Sequence, residues 1–349
     1  MAGAALLLPG GAPTAGAAPA PVRLLGEQVL PFGLEFDGTT VGGLSGIDFA
    51  ARTGEYVLIS DDRSERDPAR FYTARFTVDD KGIGPVTLTG THPLRTADGD
   101  EYGALSVDPE EIRVDPRTGD FVWTQEGERF EELLIDPATR IAGQDGGYLG
   151  ELPIAGNTAM RATTGPRRNG GLEAATFAAD GMLFVTALEA PLLQDGPEPT
   201  AAAGAPIRLT VQARSGPVLA QYAYPVEPVF APGEGNNGVS SILAENPLDP
   251  TKLLVLERGY VPGQGNRIRI YRADLAAAGN VLDKPIGAGK PVAKQLVADL
   301  NQLGLGHVDN IEGMTWGPRL GTGERTLILV SDNNFDDKQK TQVIAVALR

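Results

Sequence analysis

The sequence predicts an all-β fold, a β-propeller of six four-stranded blades, and three observations carry this prediction. Of the 349 residues, 45 are Gly and 27 are Pro, which is typical of short strands joined by turns and disfavours long helices. A pattern of two apolar strands around a turn recurs five times along the chain. Acidic residues flank the strands of these repeats. A propeller arranges such repeats around a central channel.

Five segments share the recurring pattern of a first apolar strand, a turn, a second apolar strand and then, in most cases, an acidic residue. Their turns carry sequences such as Arg52-Thr53-Gly54 and Asp180-Gly181, so each segment is predicted to be a β-hairpin. The five segments are residues 42–63, 110–126, 170–189, 238–258 and 310–334.

The chain between the hairpins supplies the outer strands of the predicted blades. A blade of about 54 residues, one sixth of the chain from residue 27 onward, leaves room for a sixth blade built from the two chain ends. Residues 343–348 are expected to close the ring against a strand within residues 22–36. Residues 290–303 form the best helical stretch. The outer-strand candidates are residues 71–78, 207–213, 218–224 and 267–271.

Acidic residues lie at positions equidistant from the predicted turns. In an antiparallel hairpin such residues are neighbours at one edge, so the inner hairpins predict an acidic ring at one mouth of the channel. The fourth hairpin has no carboxylate before its first strand, which leaves the ring incomplete there. The predicted pairs are Asp48 with Asp61, Glu111 with Glu126, Glu173 with Glu189, Ser241 with Glu257, and Glu312 with Asp332, and Asp62 adjoins the first pair.

The composition limits which ligands such a ring can bind. The chain has no Cys and two His, which excludes a Cys-ligated zinc site and favours a hard cation such as Ca²⁺ held by oxygen atoms. Its formal net charge of −15 disfavours nucleic acid and anionic membranes as partners.

The first 22 residues contain no charged side chain, and they read as a short Leu run followed by Ala, Gly and Pro. They are interpreted as the remnant of a secretory signal peptide, with residues 23–349 as one propeller domain outside the cytoplasm. A disordered leader on a cytosolic protein is the alternative. No apolar stretch is long enough to span a bilayer.

The repeated blocks resemble a known family. GLSGIDF…GEYVLISDDR, SVDPEEIRVDPRTGDFVWTQEGE, RRNGGLEAATFAADGMLFVTALEAPL, LLVLERGY and DNIEGMTWGPRLGTGERTLILVSDNNF together look like the phytase-like proteins, which carry the "esterase-like activity of phytase" domain. The resemblance runs from about Leu25 to Arg349. It implies an exported, propeller-like hydrolase of phosphate or carboxylic esters with a small-molecule substrate, and calcium is the cofactor we expect. We expect a monomer.

Hydrolysis of a phosphoester requires cations, a positioned water and side chains that hold the substrate oxygens. Glu126, Glu189 and Glu257 are the candidates for the general base. Arg63, Arg168 and Arg258 each lie close in sequence to a ring acid and are candidates for substrate binding, although structural ion pairs are an equally good interpretation of each. The candidate metal ligands are Asp48, Asp61, Asp62, Glu111, Glu173, Glu312, Asp332 and Asn333.

Two other interpretations were weighed. Serine catalysis is disfavoured because the chain has no G-x-S-x-G motif and offers only His92 and His307 as bases. A non-catalytic, calcium-dependent binding propeller remains open, since propellers host many unrelated functions.

Overall fold

A computed structural model describes residues 22–131 and 133–349, which are almost entirely strands and loops. The predicted leader, apart from its last residue, lies outside the described residues. The short 3₁₀ helices within them are Gly156–Thr158, Leu193–Asp195, Ile286–Ala288 and Leu300–Gln302. The strands are β1 (Val22–Leu30), β2 (Glu35–Phe36), β3 (Thr39–Thr40), β4 (Leu44–Ala50), β5 (Glu55–Ser60), β6 (Arg70–Arg75), β7 (Val78–Asp79), β8 (Gly82–Ile83), β9 (Thr87–Pro93), β10 (Pro109–Val114), β11 (Phe121–Gln125), β12 (Glu128–Phe130), β13 (Leu133–Ile135), β14 (Ala138–Ala142), β15 (Tyr148–Leu152), β16 (Leu172–Ala178), β17 (Leu183–Leu188), β18 (Ala205–Ala213), β19 (Val218–Val226), β20 (Asn236–Asn246), β21 (Asp249–Val261), β22 (Gly265–Asp274), β23 (Ala293–Asp299), β24 (Asn310–Trp316), β25 (Arg325–Asp332) and β26 (Thr341–Leu348).

The strands form a closed β-propeller. Five four-stranded antiparallel sheets serve as its blades, with strand orders β4-β5-β6-β9, β10-β11-β14-β15, β16-β17-β18-β19, β20-β21-β22-β23 and β24-β25-β26-β1. We number these blades 1 to 5. The first strand of each blade contacts the first strands of the two neighbouring blades, and the last contacts the first, so the five inner strands line a central channel.

The chain ends close the ring as predicted. β1 is the outermost strand of blade 5 and pairs antiparallel with β26, from Val22 opposite Leu348 to Leu30 opposite Thr341. The first and last strands of the described chain therefore share one sheet. This confirms the expected closure of residues 343–348 against the N-terminal strand.

The prediction of six blades is not confirmed, because the described residues form five. Each predicted hairpin forms the two inner strands of one blade, and the N-terminal strand completes blade 5 instead of starting a sixth. The chain length that suggested another blade lies in long connections, including the two-stranded pairs β2-β3, β7-β8 and β12-β13. The prediction of a helix within residues 290–303 is also wrong, since β23 occupies the middle of that stretch and is followed only by the 3₁₀ helix Leu300–Gln302.

Apolar side chains fill each junction between neighbouring blades. The largest clusters lie between blades 3 and 4, where Leu209 and Val255 meet, and between blades 4 and 5, where Leu256 and Leu327 meet. Smaller clusters join blades 5 and 1, blades 1 and 2, and blades 2 and 3. The alternation of apolar residues along two-sided blades thus supplies five separate cores.

Every inner hairpin contains a β-bulge near the same mouth of the channel. In blade 1, Leu44 pairs with Ser60 and Gly46 with Ile59, so Ser45 is the extra residue. Blade 2 shows the same shift with Glu110 and Glu111 between its paired positions. A bulge re-aims side chains and bends the strand, so these positions turn toward the mouth. In blades 3, 4 and 5 the extra residues are Glu173, Ser240 and Glu312.

Arg113, on the inner strand of blade 2, closes the channel below that mouth. Its side chain is 2% exposed, and Nη2 lies 2.6 Å from Glu111 Oε2. The same guanidinium donates hydrogen bonds to one backbone carbonyl of each of the other four inner strands. These acceptors are the carbonyl oxygens of Ile47, Ala175, Ile242 and Met314, at 2.7 to 3.1 Å. One side chain therefore connects all five blades.

Candidate functional site

The mouth of the channel at the bulged ends of the inner strands opens into a cavity of about 380 Å³. Its lining is dominated by carboxylates, with two arginines and several amides between them. The acidic lining residues are Asp61, Asp108, Glu110, Glu126, Glu173, Glu189, Glu312 and Asp332, and the basic ones are Arg63 and Arg258. We call this cavity the acidic mouth.

Five lining residues come from equivalent positions on the second strands. In each blade, the residue just before the bulge pairs with a residue near the end of the second strand, and the residue that follows this partner in sequence faces the cavity. In blade 1, for example, Leu44 pairs with Ser60, and Asp61 follows Ser60. Around the ring these residues are Asp61, Glu126, Glu189, Arg258 and Asp332. Blade 4 therefore contributes a cation where the other four blades contribute an acid.

The bulges provide a second set of lining residues. Glu110, Glu173 and Glu312 occupy the bulges of blades 2, 3 and 5, while blades 1 and 4 have serines there. The hydroxyl of Ser45 donates to the Glu110 carbonyl oxygen at 2.6 Å, so it bonds to the next blade. The acids are consequently concentrated on two arcs of the ring.

Glycines at the preceding positions make room for the ring carboxylates. A Cβ atom on Gly43 would lie 2.0 Å from Asp61 Oδ1, and one on Gly238 would lie 2.5 Å from Glu189 Cγ. Gly43 also has a φ of +61°, a backbone conformation that residues other than glycine rarely adopt. The glycines just before the bulges of blades 1 and 4 therefore leave the space that the carboxylates of Asp61 and Glu189 occupy.

The carboxylates form three sets in which one oxygen atom from each member lies within 4.8 Å of the others. All the donors are oxygens, which suits a hard cation such as Ca²⁺ better than zinc or copper. Glu126 belongs to two of the sets. The sets are Asp61 with Glu312 and Asp332, Asp108 with Glu110 and Glu126, and Glu126 with Glu173 and Glu189.

Burial and crowding raise the pKa values of these acids. Burial is the main cause at Glu110, Glu126 and Glu173, and neighbouring carboxylates raise the pKa of each further, well above its usual value. Burial raises the pKa of Glu312 to about 8 despite the nearby Arg258 guanidinium. Without a cation, the acidic mouth therefore holds protons that a cation would have to displace.

Burial also raises the pKa of the other ring acids. Burial raises the pKa of Asp108 to about 7, although Arg63 opposes the shift. It raises the pKa of Asp332 to about 6, although hydrogen bonds from the Asn334 N–H and the Asn310 amide favour the charged form. Asp61 is raised well above its usual value by burial and then by Asp332.

The two arginines have incomplete hydrogen bonding. Arg258 donates to Glu189 Oε1 at 2.6 Å and to Asn310 Oδ1 at 2.9 Å, but its buried Nε makes no hydrogen bond to a described residue and lies 3.5 Å from Glu312 Oε1. Arg63 pairs with Glu128, and its buried Nε likewise makes no hydrogen bond in the described structure and lies 3.4 Å from Asp108 Oδ2. Both guanidinium groups can therefore take an additional oxygen atom.

The structure places Asp48 away from the acidic mouth because the hairpin of blade 1 turns between Ala50 and Glu55, close to Asp48. Asp48 pairs across the strand with Val57 instead of lying beside Asp61, and it lines a cavity at the opposite mouth. Its carboxylate accepts from Thr315 Oγ1 at 2.6 Å and from the Val114 N–H at 2.8 Å.

Glu111 lies one residue beyond the cavity lining. It points down the channel, where it bonds to Arg113 and to Ser241 Oγ at 2.9 Å. Burial raises its pKa to about 8, although Arg113 opposes the shift. Its neighbour Glu110 faces the acidic mouth.

Glu257 and Asp62 hold the fold together outside the cavity lining. Glu257 precedes the ring position of Arg258 by one residue, and its carboxylate accepts from Tyr224 and Lys294 at 2.8 and 2.5 Å. Asp62 pairs with the buried Arg70 at 2.8 Å and caps backbone N–H groups of the loop that follows.

Asn333 and Arg168 also lie outside the lining. Asn333 is buried and accepts from the Gly43 N–H at 3.0 Å. Arg168 is more than half exposed, with its guanidinium carbon 5.0 Å from the centre of the Phe130 ring. Neither histidine lines the cavity. His92 on β9 stacks on Phe71 of the neighbouring strand β6, and His307 bonds to Asp309.

The sequence prediction missed two acids of the ring, Asp108 and Glu110. Both lie in the block Asp108-Pro109-Glu110-Glu111, where only Glu111 was chosen. If the blades are aligned so that Glu126 of blade 2 matches Glu189 of blade 3, Glu110 takes the same position as Glu173. Asp108 lies at the position of Gly43, since its carbonyl accepts from Glu126 as that of Gly43 accepts from Asp61.

Comparison with known proteins gives a family match. A family model described as phytase-like, "esterase-like activity of phytase", matches residues 39–335, which include every lining acid. No curated protein sequence matches the chain significantly.

Several solved structures resemble parts of the architecture at low identity. A periplasmic gluconolactonase from Pseudomonas aeruginosa is 12% identical, with a TM-score of 0.39 over 89% of this chain and 87% of that one. A propeller named Dos1 is 7% identical, with a TM-score of 0.36 over 89% and 69%, and a chain of a mitotic checkpoint complex is 8% identical, with a TM-score of 0.36 over 98% and 97%. These similarities carry no argument about activity.

Proposed function

The chain belongs to the phytase-like family, and from this membership we propose that it hydrolyses ester bonds at the acidic mouth with the help of a bound divalent cation, Ca²⁺ being the expected ion. The observation that supports the cation is Glu173. Its side chain is 94% buried in the cavity lining and, among the described residues, it has no hydrogen-bond or ion-pair partner. Such a carboxylate needs either a proton or a cation.

The residues that would hold a cation are the three carboxylate sets of the acidic mouth. A bound cation would neutralise negative charge on the substrate and lower the pKa of a bound water. The candidate ligands from the sequence that remain in the lining are Asp61, Glu173, Glu312 and Asp332.

Arg63 and Arg258 are proposed to bind the substrate oxygens. Each keeps a buried Nε–H that makes no hydrogen bond to a described residue, and each faces the cavity from a different blade. A guanidinium holds phosphate or carboxylate oxygens in fixed geometry, so these residues favour a substrate that carries negative charge. Arg168 is too exposed for us to retain it in this role.

Glu189 is proposed as the general base. It lines the cavity, whereas Glu257 does not, and its ion pair with Arg258 favours the charged form that can accept a proton from water. Burial raises the pKa of Glu189, which brings a carboxylate closer to the range where a base is effective at neutral pH.

Export from the cytoplasm is proposed on the family resemblance and the composition of the first 22 residues. No helix within the described residues is long and apolar enough to cross a membrane. A small-molecule ester is the proposed partner.

The test is turnover of acyl esters, phosphate monoesters and phosphate diesters by the purified protein, with Ca²⁺ and with a chelator. We expect hydrolysis of at least one class, lost on chelation and reduced by at least about a hundredfold in Glu173→Gln. The control Glu151→Gln removes an exposed carboxylate on the outer strand β15 and should retain turnover. No turnover on any class would contradict the proposal, and a calcium-dependent thermal shift without turnover would favour a non-catalytic binding propeller.

A further inference from the structure

The acidic mouth contains one carboxylate that two cation sets share. Glu126 has an oxygen within 4.8 Å of oxygens from Asp108 and Glu110, and also one within that distance of oxygens from Glu173 and Glu189. It directly follows β11, and it lies between the acids contributed by blade 2 and those contributed by blade 3. The third set, on blades 1 and 5, has no member in common with these two.

The backbone fixes Glu126 between the two sets. Its side chain is 95% buried, and Oε1 accepts the Gly171 N–H at 2.9 Å. Gly171 has to be glycine here, since a Cβ atom would lie 2.2 Å from the Glu126 carbonyl oxygen. The second carboxylate oxygen accepts no hydrogen bond from any described residue. A carboxylate held in this way can offer oxygens to two neighbouring ions.

On each side of Glu126 there are carboxylates whose charge no neighbouring arginine or lysine side chain fully balances. On the blade 3 side, Glu173 is 6% exposed, lines the cavity and is unpartnered among the described residues. On the blade 2 side, the side chain of Glu110 has no described partner. The carboxylate of Asp108 has one ion-pair partner among the described residues, Arg63, whose Nε is 3.4 Å away. Glu189 already shares its charge with Arg258.

From these contacts we infer that the acidic mouth binds two divalent cations side by side with Glu126 as their common ligand, one also held by Asp108 and Glu110 and the other chiefly by Glu173. The inference rests on the proposed function for the identity of the site. It goes further in assigning the number of ions and the division of the ligands between them. A paired site suits a substrate that bridges two cations through oxygen atoms, such as a phosphoester.

The test counts ions and does not depend on hydrolysis. Calcium bound per chain is measured by equilibrium dialysis and calorimetry at about pH 8, where carboxylates are most readily deprotonated. Glu126→Gln should weaken binding at two sites by at least about tenfold each, since even loss of a positioning partner costs a metal site that much. Glu110→Gln and Glu173→Gln should each weaken one site, and they should weaken different ones.

The matched control is Glu151→Gln, which removes an exposed carboxylate on β15, outside the acidic mouth, and should leave both shared ions bound. Folding of every variant is checked by thermal unfolding without cation, where loss of a buried carboxylate should not lower stability. A wild-type total of one ion, or loss of a single site in Glu126→Gln, overturns the inference. If two ions bind as described but no ester is hydrolysed, the proposed function fails and this inference stands.

Discussion

At the scale of single residues, Arg113 shows how one side chain organises the channel. It donates to backbone carbonyls of four inner strands and pairs with Glu111. These strands are paired to only one neighbour each within their own blades, so their inward carbonyls need a donor from elsewhere. A guanidinium has five N–H groups in a fixed plane, whereas a lysine has one compact ammonium group.

Replacing this arginine should be severely destabilising. We expect Arg113→Met to lower the free energy of unfolding by about 3–5 kcal/mol, because it leaves the buried Glu111 without its positive partner and several carbonyls without a donor. Chemical denaturation measures the loss. The control Arg319→Met changes an exposed arginine at a turn and should stay within about 0.5 kcal/mol of the wild type. Equal effects of the two substitutions would show that Arg113 does not connect the blades.

At the scale of elements, a glycine two residues before the bulge in blades 1, 3 and 4 makes room for a ring acid of the same or the neighbouring blade. Gly43→Ala places a methyl group 2.0 Å from Asp61 Oδ1, so we expect Asp61 to move and cation affinity to fall by about tenfold. Gly54→Ala is the matched control, since Gly54 also has a positive φ, +72°, but no atom within 4 Å of the added methyl. Both variants carry backbone strain, and only the first should alter calcium binding measured by calorimetry. Unchanged binding in Gly43→Ala would contradict this role.

The same elements show what the sequence could and could not predict. The hairpins were predictable because their turn residues and apolar strands are explicit, and the structure brings six residues of the predicted ring together in the acidic mouth, namely Asp61, Glu126, Glu173, Glu189, Glu312 and Asp332. A bulge adds one residue without changing the apolar pattern, so counting outward from a turn chose Glu111 and Glu257 where the structure uses Glu110 and Arg258. Long connections with their own short strand pairs concealed the number of blades.

At the scale of the whole molecule, the acidic mouth should make stability depend on pH and on cations together. Carboxyl groups whose pKa is raised by folding contribute stability at low pH that is lost as the pH rises. The loss begins near pH 4, the usual range of these groups, and runs through about 6 for Asp332, about 7 for Asp108 and about 8 for Glu312.

Without cation, we therefore expect the mouth to lower the thermal unfolding midpoint between about pH 5 and about pH 9. Added Ca²⁺ should raise the midpoint, and more at the higher pH, because bound cations stabilise the charged carboxylates. Calorimetry with calcium and with chelator at several pH values measures both effects. A calcium-induced shift that is largest at acidic pH would contradict this account.

The pairing of β1 with β26 also constrains the order of events in folding. Val22 lies opposite Leu348, so the last blade joins residues separated by almost the whole described chain. Such contacts form slowly, because a long loop must close before they contribute stability. A chain still lacking β26 leaves the edge of β25 unpaired, and an unpaired edge invites pairing with other chains. Completion of the ring therefore has to wait for β26, and until that strand pairs, the exposed edge of β25 is open to pairing with another chain.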